Sequence, residues 1–175
     1  MAKHFNITGA SSAAAELTRE LLAPGSNAVI SKISLTNIHA STKCTVDLYI
    51  EKKLTGKFYL LKSVSLPIGV TLFHDIVGFD NSNGQFGLYI KLTKGTTFTL
   101  TGSIDPAASV IVPGSGTAFL SEVSIGDEIV VSGETRIVTA IASDTSLTVS
   151  VAFSNNSNDA TPDCNPVAPV DVILS

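Results

Sequence analysis

Three histidines (His4, His39 and His74) and two cysteines (Cys44 and Cys164) are the natural starting points for chemistry in this sequence. Acid–base or nucleophilic work needs such groups beside positioned partners. The spacing supplies none: there is no Gly-x-Ser-x-Gly elbow, no His-x-x-x-His pair and no His-Glu-x-x-His. His4 falls on a stretch without period, His39 in a loop and His74 at a strand end. His74-Asp75 could fix a ring tautomer, but no nucleophile stands beside it. Cys44 and Cys164 lie 120 positions apart and form no Cys-x-x-Cys motif, so two free thiols are expected.

Metal and phosphate motifs fail on spacing. Asp80-Asn81-Ser82-Asn83-Gly84 resembles the start of a calcium loop. Counted from Asp80, however, its glycine is fifth instead of sixth, and Lys91 stands where a closing glutamate is needed. A turn built on Asn83-Gly84 is the simpler reading. Gly114-Ser115-Gly116 lacks the lysine and following helix of a phosphate cradle. Lys52, Lys53 and Lys57 flank Phe58 and Tyr59, as on ribbons that bind single-stranded nucleic acid. Glu51 interrupts the group and the chain is acidic overall, so lysines guarding a strand edge explain it better. No catalytic, cofactor-binding or metal-ligating residue is expected, and no cofactor.

The elements that would position any site are strands. Thr45–Glu51 alternates, with Val46, Leu48 and Ile50 inward and Asp47, Tyr49 and Glu51 outward. Leu54-Thr55-Gly56-Lys57 turns it into Phe58–Ser65, placing Phe58 and Leu60 in the same core. Val29–Asn37 puts Val29, Ile33 and Leu35 on one side and Ile30, Lys32 and Ser34 on the other. Phe86, Leu88, Ile90 and Leu92 give four more alternating positions, and Phe98 and Leu100 sit between threonines. Ser12–Leu22 has helical propensity around Ala13–Ala15 with Ser12 as a possible N-cap, but alternation of Leu17, Arg19 and Leu21 favours a strand over 17–22. Six to eight strands precede residue 102.

Gly114–Phe153 repeats the pattern on a smaller scale. Glu128–Val131, Thr135–Ala142 and Leu147–Val151 are separated by turns at Gly126-Asp127, Ser132-Gly133-Glu134 and Ser143-Asp144-Thr145, the signature of a small antiparallel barrel or sandwich. In the second run Ile137, Thr139 and Ile141 share one face, and neither face is strongly polar. Val170–Leu174 adds a last strand. The fold class is therefore all-β: an N-terminal antiparallel β-sandwich followed by a small C-terminal β-barrel or sandwich module. The expected division is an arm over 1–16, a sandwich over 17–106, a linker over 107–116 and the small module over 117–175.

Composition limits the roles open to such a chain. Hydrophobic residues are 44% and charged residues 15%, the latter against roughly 25% in an average soluble protein. No stretch approaches the ~20 apolar residues of a membrane helix, and the first residues lack the apolar region of a signal peptide. Surface covered by other subunits would account for the hydrophobicity. The net charge of −4 is uneven: residues 1–106 carry +3 and residues 107–175 carry −7. Such halves can attract one another between copies.

Several motifs together resemble structural proteins of tailed bacteriophages, above all those of marine and cyanobacterial phages. In the second half these are Gly116-Thr117-x-Phe119, Val123-x-Ile125-Gly126-Asp127-x-Ile129 and Val138-x-x-Ile141-x-Ser143-Asp144-Thr145-x-Leu147. In the first half they are Leu35-Thr36-Asn37, Cys44-Thr45-Val46-Asp47-Leu48-Tyr49-Ile50, Phe58-Tyr59-Leu60-Leu61 and Leu66-Pro67-x-Gly69-Val70-Thr71-Leu72. The resemblance implies a virion component without catalytic residues, assembled in the host cytoplasm from copies of itself and other virion proteins. It would serve as a capsid decoration or cement protein, or as a neck, tail or baseplate accessory. Nucleic acid, membrane and small-molecule substrates are not expected as partners. Residues 1–12, with Phe5 and Ile7 apolar, are expected to reach a neighbouring subunit. The rival reading is a carbohydrate- or receptor-binding β-sandwich, which needs exposed aromatics near polar loops.

Overall fold

The computed structural model describes residues 2–9, 16–52, 56–82 and 84–175, with only the backbone described at 77 and 78. The described chain is all-β apart from one helical turn. Seven strands come first: β1 (Lys3–Ile7), β2 (Glu16–Leu22), β3 (Val29–Asn37), β4 (Cys44–Lys52), β5 (Gly56–Leu66), β6 (Thr71–Asp80) and β7 (Gly87–Thr93). Then come β8 (Phe98–Thr99), β9 (Ser103–Ile104), β10 (Ile111–Ser115), the turn α1 (Phe119–Glu122), β11 (Glu128–Val131), β12 (Glu134–Ser143), β13 (Ser146–Val149) and β14 (Asp163–Asn165). The last strand is β15 (Val170–Leu174).

These strands form three antiparallel sheets. Two have four strands, in the orders β1-β15-β3-β6 and β2-β7-β4-β5, and the third has seven, in the order β8-β14-β11-β12-β13-β10-β9. The two four-stranded sheets feed one apolar cluster: Ile33, Leu35, Val170 and Val172 from the first meet Val46, Leu48, Leu88, Ile90 and Leu92 from the second. The seven-stranded sheet has its own core around Ile104, Phe119, Ile129, Val138, Leu147 and Cys164. It is not closed into a barrel, since β8 and β9 end the sheet without pairing to each other.

Sheet membership corrects the expected division. Residues 3–7 are not an arm. They pair along their whole length with β15, from Lys3 opposite Leu174 to Ile7 opposite Val170. Ile7 is buried and Phe5 packs on the first core, so these apolar residues find their cover inside the same chain. β15 is not part of the second module either: it lies between β1 and β3. Phe98–Thr99 and Ser103–Ile104, assigned by sequence to the sandwich, belong to the seven-stranded sheet. The second module therefore occupies residues 98–165 and is inserted between β7 and β15.

Bulges account for the misplaced faces. A register shift between Ile30 and Lys32 reverses the alternation within β3, so Ile30 is buried and Val29 is 76% exposed. A second shift, between Val138 and Ala140, turns Val138 and Ile141 towards the core of β12 and leaves Ile137 and Thr139 outside. In the β4–β5 hairpin Val46 and Leu48 are fully buried, and Ile50 and Leu60 pack at the margin. Phe58 is 52% exposed instead of buried, because its place in the register, opposite Ile50, lies at the end of the core. Strand β2 confirms the strand reading of 17–22. Lys53, the turn at Leu54-Thr55, the proposed cap Ser12, Ala13–Ala15 and Asn83 lie outside the described residues.

Candidate functional site

The residues singled out by sequence are dispersed by the fold. His4 is exposed on β1 opposite Ile173. His74 and Asp75 are consecutive on β6, so their side chains point to opposite faces and cannot hold one another. The calcium-like loop is a structural clamp. Asp80 Oδ1 accepts the Ser82 N–H at 2.8 Å. Asn81 is buried, donating from Nδ2 to Ala23 O (2.8 Å) and Ser26 Oγ (2.9 Å) while its Oδ1 accepts the Ala28 N–H (2.9 Å). Asn81 thus ties down the β2–β3 turn. Gly114-Ser115 ends strand β10, where a Cβ on Gly114 would meet Thr117 Oγ1 at 2.3 Å. Among the described residues no three His, Cys, Asp or Glu side chains are gathered so as to hold a metal ion, and no helix is long and apolar enough to cross a membrane.

His39 is brought to a partner that the sequence did not indicate. It sits in the β3–β4 loop, and its Nε2 lies 3.0 and 3.1 Å from the two carboxylate oxygens of Asp127, at the start of β11. Both residues are buried. His39 Nδ1 accepts the N–H groups of Ser41 and Thr42, each at 3.0 Å. An Nδ1 lone pair committed to two amides places the ring proton on Nε2, which donates to Asp127. The carboxylate also accepts the Ser124 and Val167 N–H groups at 2.8 Å each, and the Cys164 thiol at 3.6 Å. Beside it, the Ala40 N–H donates to Ser124 Oγ (2.9 Å) and Ser41 Oγ donates to Glu122 O (2.5 Å).

Cys164, Asp127 and His39 hold the three residue types of a cysteine-nucleophile site, but in the wrong order. The thiol faces the carboxylate and not the imidazole, and the imidazole lone pair is already engaged. Burial, followed by the charge of Asp127, pushes the Cys164 thiol well above its ordinary range, which suppresses the thiolate that attack requires. Cys44 is likewise buried, and burial raises it to about 11. The cluster is a buried polar weld between the first module and the second.

The outer face of the β2-β7-β4-β5 sheet carries the chain's three tyrosines in one row. Tyr59, Tyr49 and Tyr89 are cross-strand neighbours. Tyr49 stands 5.5 Å from Tyr59 and 5.6 Å from Tyr89 by ring centroid, and Tyr89 Oη donates to Glu20 Oε2 at 2.9 Å. Burial and Glu20 push the Tyr89 hydroxyl up to about 12. Lys57 lies over the Tyr49 ring at 4.6 Å, and Lys62 over Tyr59 at 4.4 Å. Lys62 also pairs with Asp47 at 2.8 Å. Burial alone would raise the Asp47 carboxyl, yet Lys62 and the Ser63 N–H together hold it below its usual range. That N–H reaches Asp47 at 2.6 Å from a bulge where Ser63 adopts φ 53°. Ring faces covered by lysines do not offer an open stacking platform.

No family model matches the chain, and no curated protein matches it.

Proposed function

We propose that this chain is a non-enzymatic structural component of a tailed-phage virion, acting through surfaces between its own copies and other virion proteins. The observation that carries the reading is strand order. β1-β15-β3-β6 facing β2-β7-β4-β5 is the neighbour pattern of an eight-stranded jelly-roll sandwich, with the second module in the connection before the final strand. Jelly rolls recur in viral capsid and lectin domains. The low charge content and exposed apolar residues on both modules, among them Phe73, Ile111, Ile125 and Val151, support burial against neighbours. The charge division follows the fold: residues 98–165 carry −7 and the remainder +3. Attraction between unlike modules of adjacent copies is thereby favoured.

The position proposed is a capsid decoration or cement protein, or an accessory of the neck, tail or baseplate. Protein mass spectrometry and antibody labelling of purified particles of a phage carrying this gene test it. Stoichiometric recovery with label at one symmetric location is expected. Absence of the chain from particles that contain all other structural proteins would overturn the reading. The second reading, a carbohydrate- or receptor-binding module, has Phe73, Phe58 and Tyr59 as exposed aromatics, with Lys32 over the Phe73 ring and Lys62 over the Tyr59 ring. With lysines lying over those two rings, glycan arrays should give no specific signal.

A further inference from the structure

The weld at His39 holds one side of a polar groove. It is a cavity of about 340 Å³ lined by Ser41, Thr42, Lys43, Thr45, Lys94 and Thr96, together with Gly95. Two lysines, one serine and three threonines are among its lining residues, and no acidic residue is. Among the described residues neither Lys43 nor Lys94 has an ion-pair partner. This distinguishes them from Lys62 and Lys91, whose charges are matched by Asp47 and Glu16. Glu122 lines an adjoining cavity that shares Ser41, Thr42 and Thr96 with this one. Its oxygens are already taken by the Thr101 N–H at 3.0 Å and Thr101 Oγ1 at 2.5 Å.

The groove is built, not a chance gap between mobile loops. One wall, residues 41–43, is fixed because His39 Nδ1 accepts the Ser41 and Thr42 N–H groups. The other wall, residues 94–96, closes onto it at a glycine. A Cβ on Gly95 would stand 2.9 Å from the Lys43 carbonyl oxygen and 3.1 Å from Thr42 Oγ1, so only glycine lets the two backbones approach this closely. The two lysine-bearing segments are thereby held side by side. Thr42 Oγ1, packed where the two walls meet, is shielded from solvent and has no hydrogen-bond partner. Two lysines without ion-pair partners, held side by side in one groove, are the chemistry that recognises an oxyanion.

We propose that this groove binds an oxyanion, a phosphate or carboxylate group, between Lys43 and Lys94. The site stands independently of the virion reading. The test is a ¹H–¹⁵N NMR titration of the full chain in low-salt buffer with two probes, inorganic phosphate and a short oligoglutamate peptide. Saturable shifts confined to residues 41–45 and 94–96 are expected. Lys43→Gln and Lys94→Gln should each weaken binding roughly tenfold, as for loss of one charge-assisted contact. Lys3→Gln and Lys57→Gln, on other faces, should leave it unchanged, and the dispersion of each spectrum reports that the variant is folded. Saturation by phosphate alone assigns the site to a free or esterified phosphate. Saturation by the peptide assigns it to the acidic side chains of a partner. Shifts that never saturate, or that respond equally to all four substitutions, would overturn the proposal.

Discussion

Asp127 shows how much can depend on one side chain whose sequence neighbours suggest only a turn. Four donors converge on its carboxylate, from His39, Ser124, Val167 and Cys164. An asparagine would aim an amide N–H at groups that are themselves donors. Asp127→Asn should therefore cost about 3 kcal/mol or more in urea unfolding. His39→Ala should cost a comparable amount, and the double variant distinctly less than the two together, because each single change orphans the other member of the pair. Asp47 gives a pH test. Its carboxyl is held low in the folded state, so its contribution is present above the ordinary carboxylate range and is lost as pH falls through the folded value. The stability gap between the wild type and Asp47→Asn should be open at pH 7 and close in acid. The thiols supply a third check. Cys44 and Cys164 are buried with raised pKa values, so both should resist alkylation by iodoacetamide at pH 8 until denaturant is added. Reaction of either in the native protein would show that burial to be incomplete.

At the level of elements, the strands were legible and their partners were not. Alternation over Thr45–Glu51 and Leu88–Leu92 reports side-chain direction, which is a local property, and Val46, Leu48, Leu88, Ile90 and Leu92 are all fully buried. Where a bulge adds a residue, as after Ile30 and Val138, the same pattern misleads, because nothing in the composition announces the extra residue. Phe58 illustrates a different limit: its alternation is right, but the core ends before reaching it. Leu48→Ala should accordingly cost roughly 2–5 kcal/mol and Phe58→Ala well under half of that. Equal losses would contradict the buried and exposed assignments. Likewise, no local signal tells residues 3–7 that their partner is Val170–Leu174. The His39–Asp127 contact spans 88 positions, and without that distance the loop histidine could only be read as unpartnered.

For the molecule as a whole, the inserted module changes which pieces can stand alone. A cut after residue 106 separates β15 from the sheet it completes. A fragment of residues 1–106 should fail to give cooperative unfolding by circular dichroism. A chain joining residues 1–95 to 166–175 through a short glycine–serine linker should recover it, and residues 98–165 should fold separately. Cooperative unfolding of 1–106 alone would place β15 outside the essential core. The charge division survives the redrawn boundary because Asp105 and Asp171 exchange sides. It belongs to the modules themselves and not to an arbitrary cut in the chain.

The position of β15 also sets an order in time. A ribosome emits β1 and β3 long before Val170–Leu174, and β15 must lie between them. Until those residues emerge, both strands keep an open edge beside exposed Ile33 and Leu35. The second module, encoded later, has all its strands by residue 165 and can finish first. The nascent chain therefore carries a half-built sheet through most of its synthesis, the state in which unpaired edges meet those of other chains. Closure waits on the contact of longest range in the fold. The window for misassembly is set by translation speed as much as by stability.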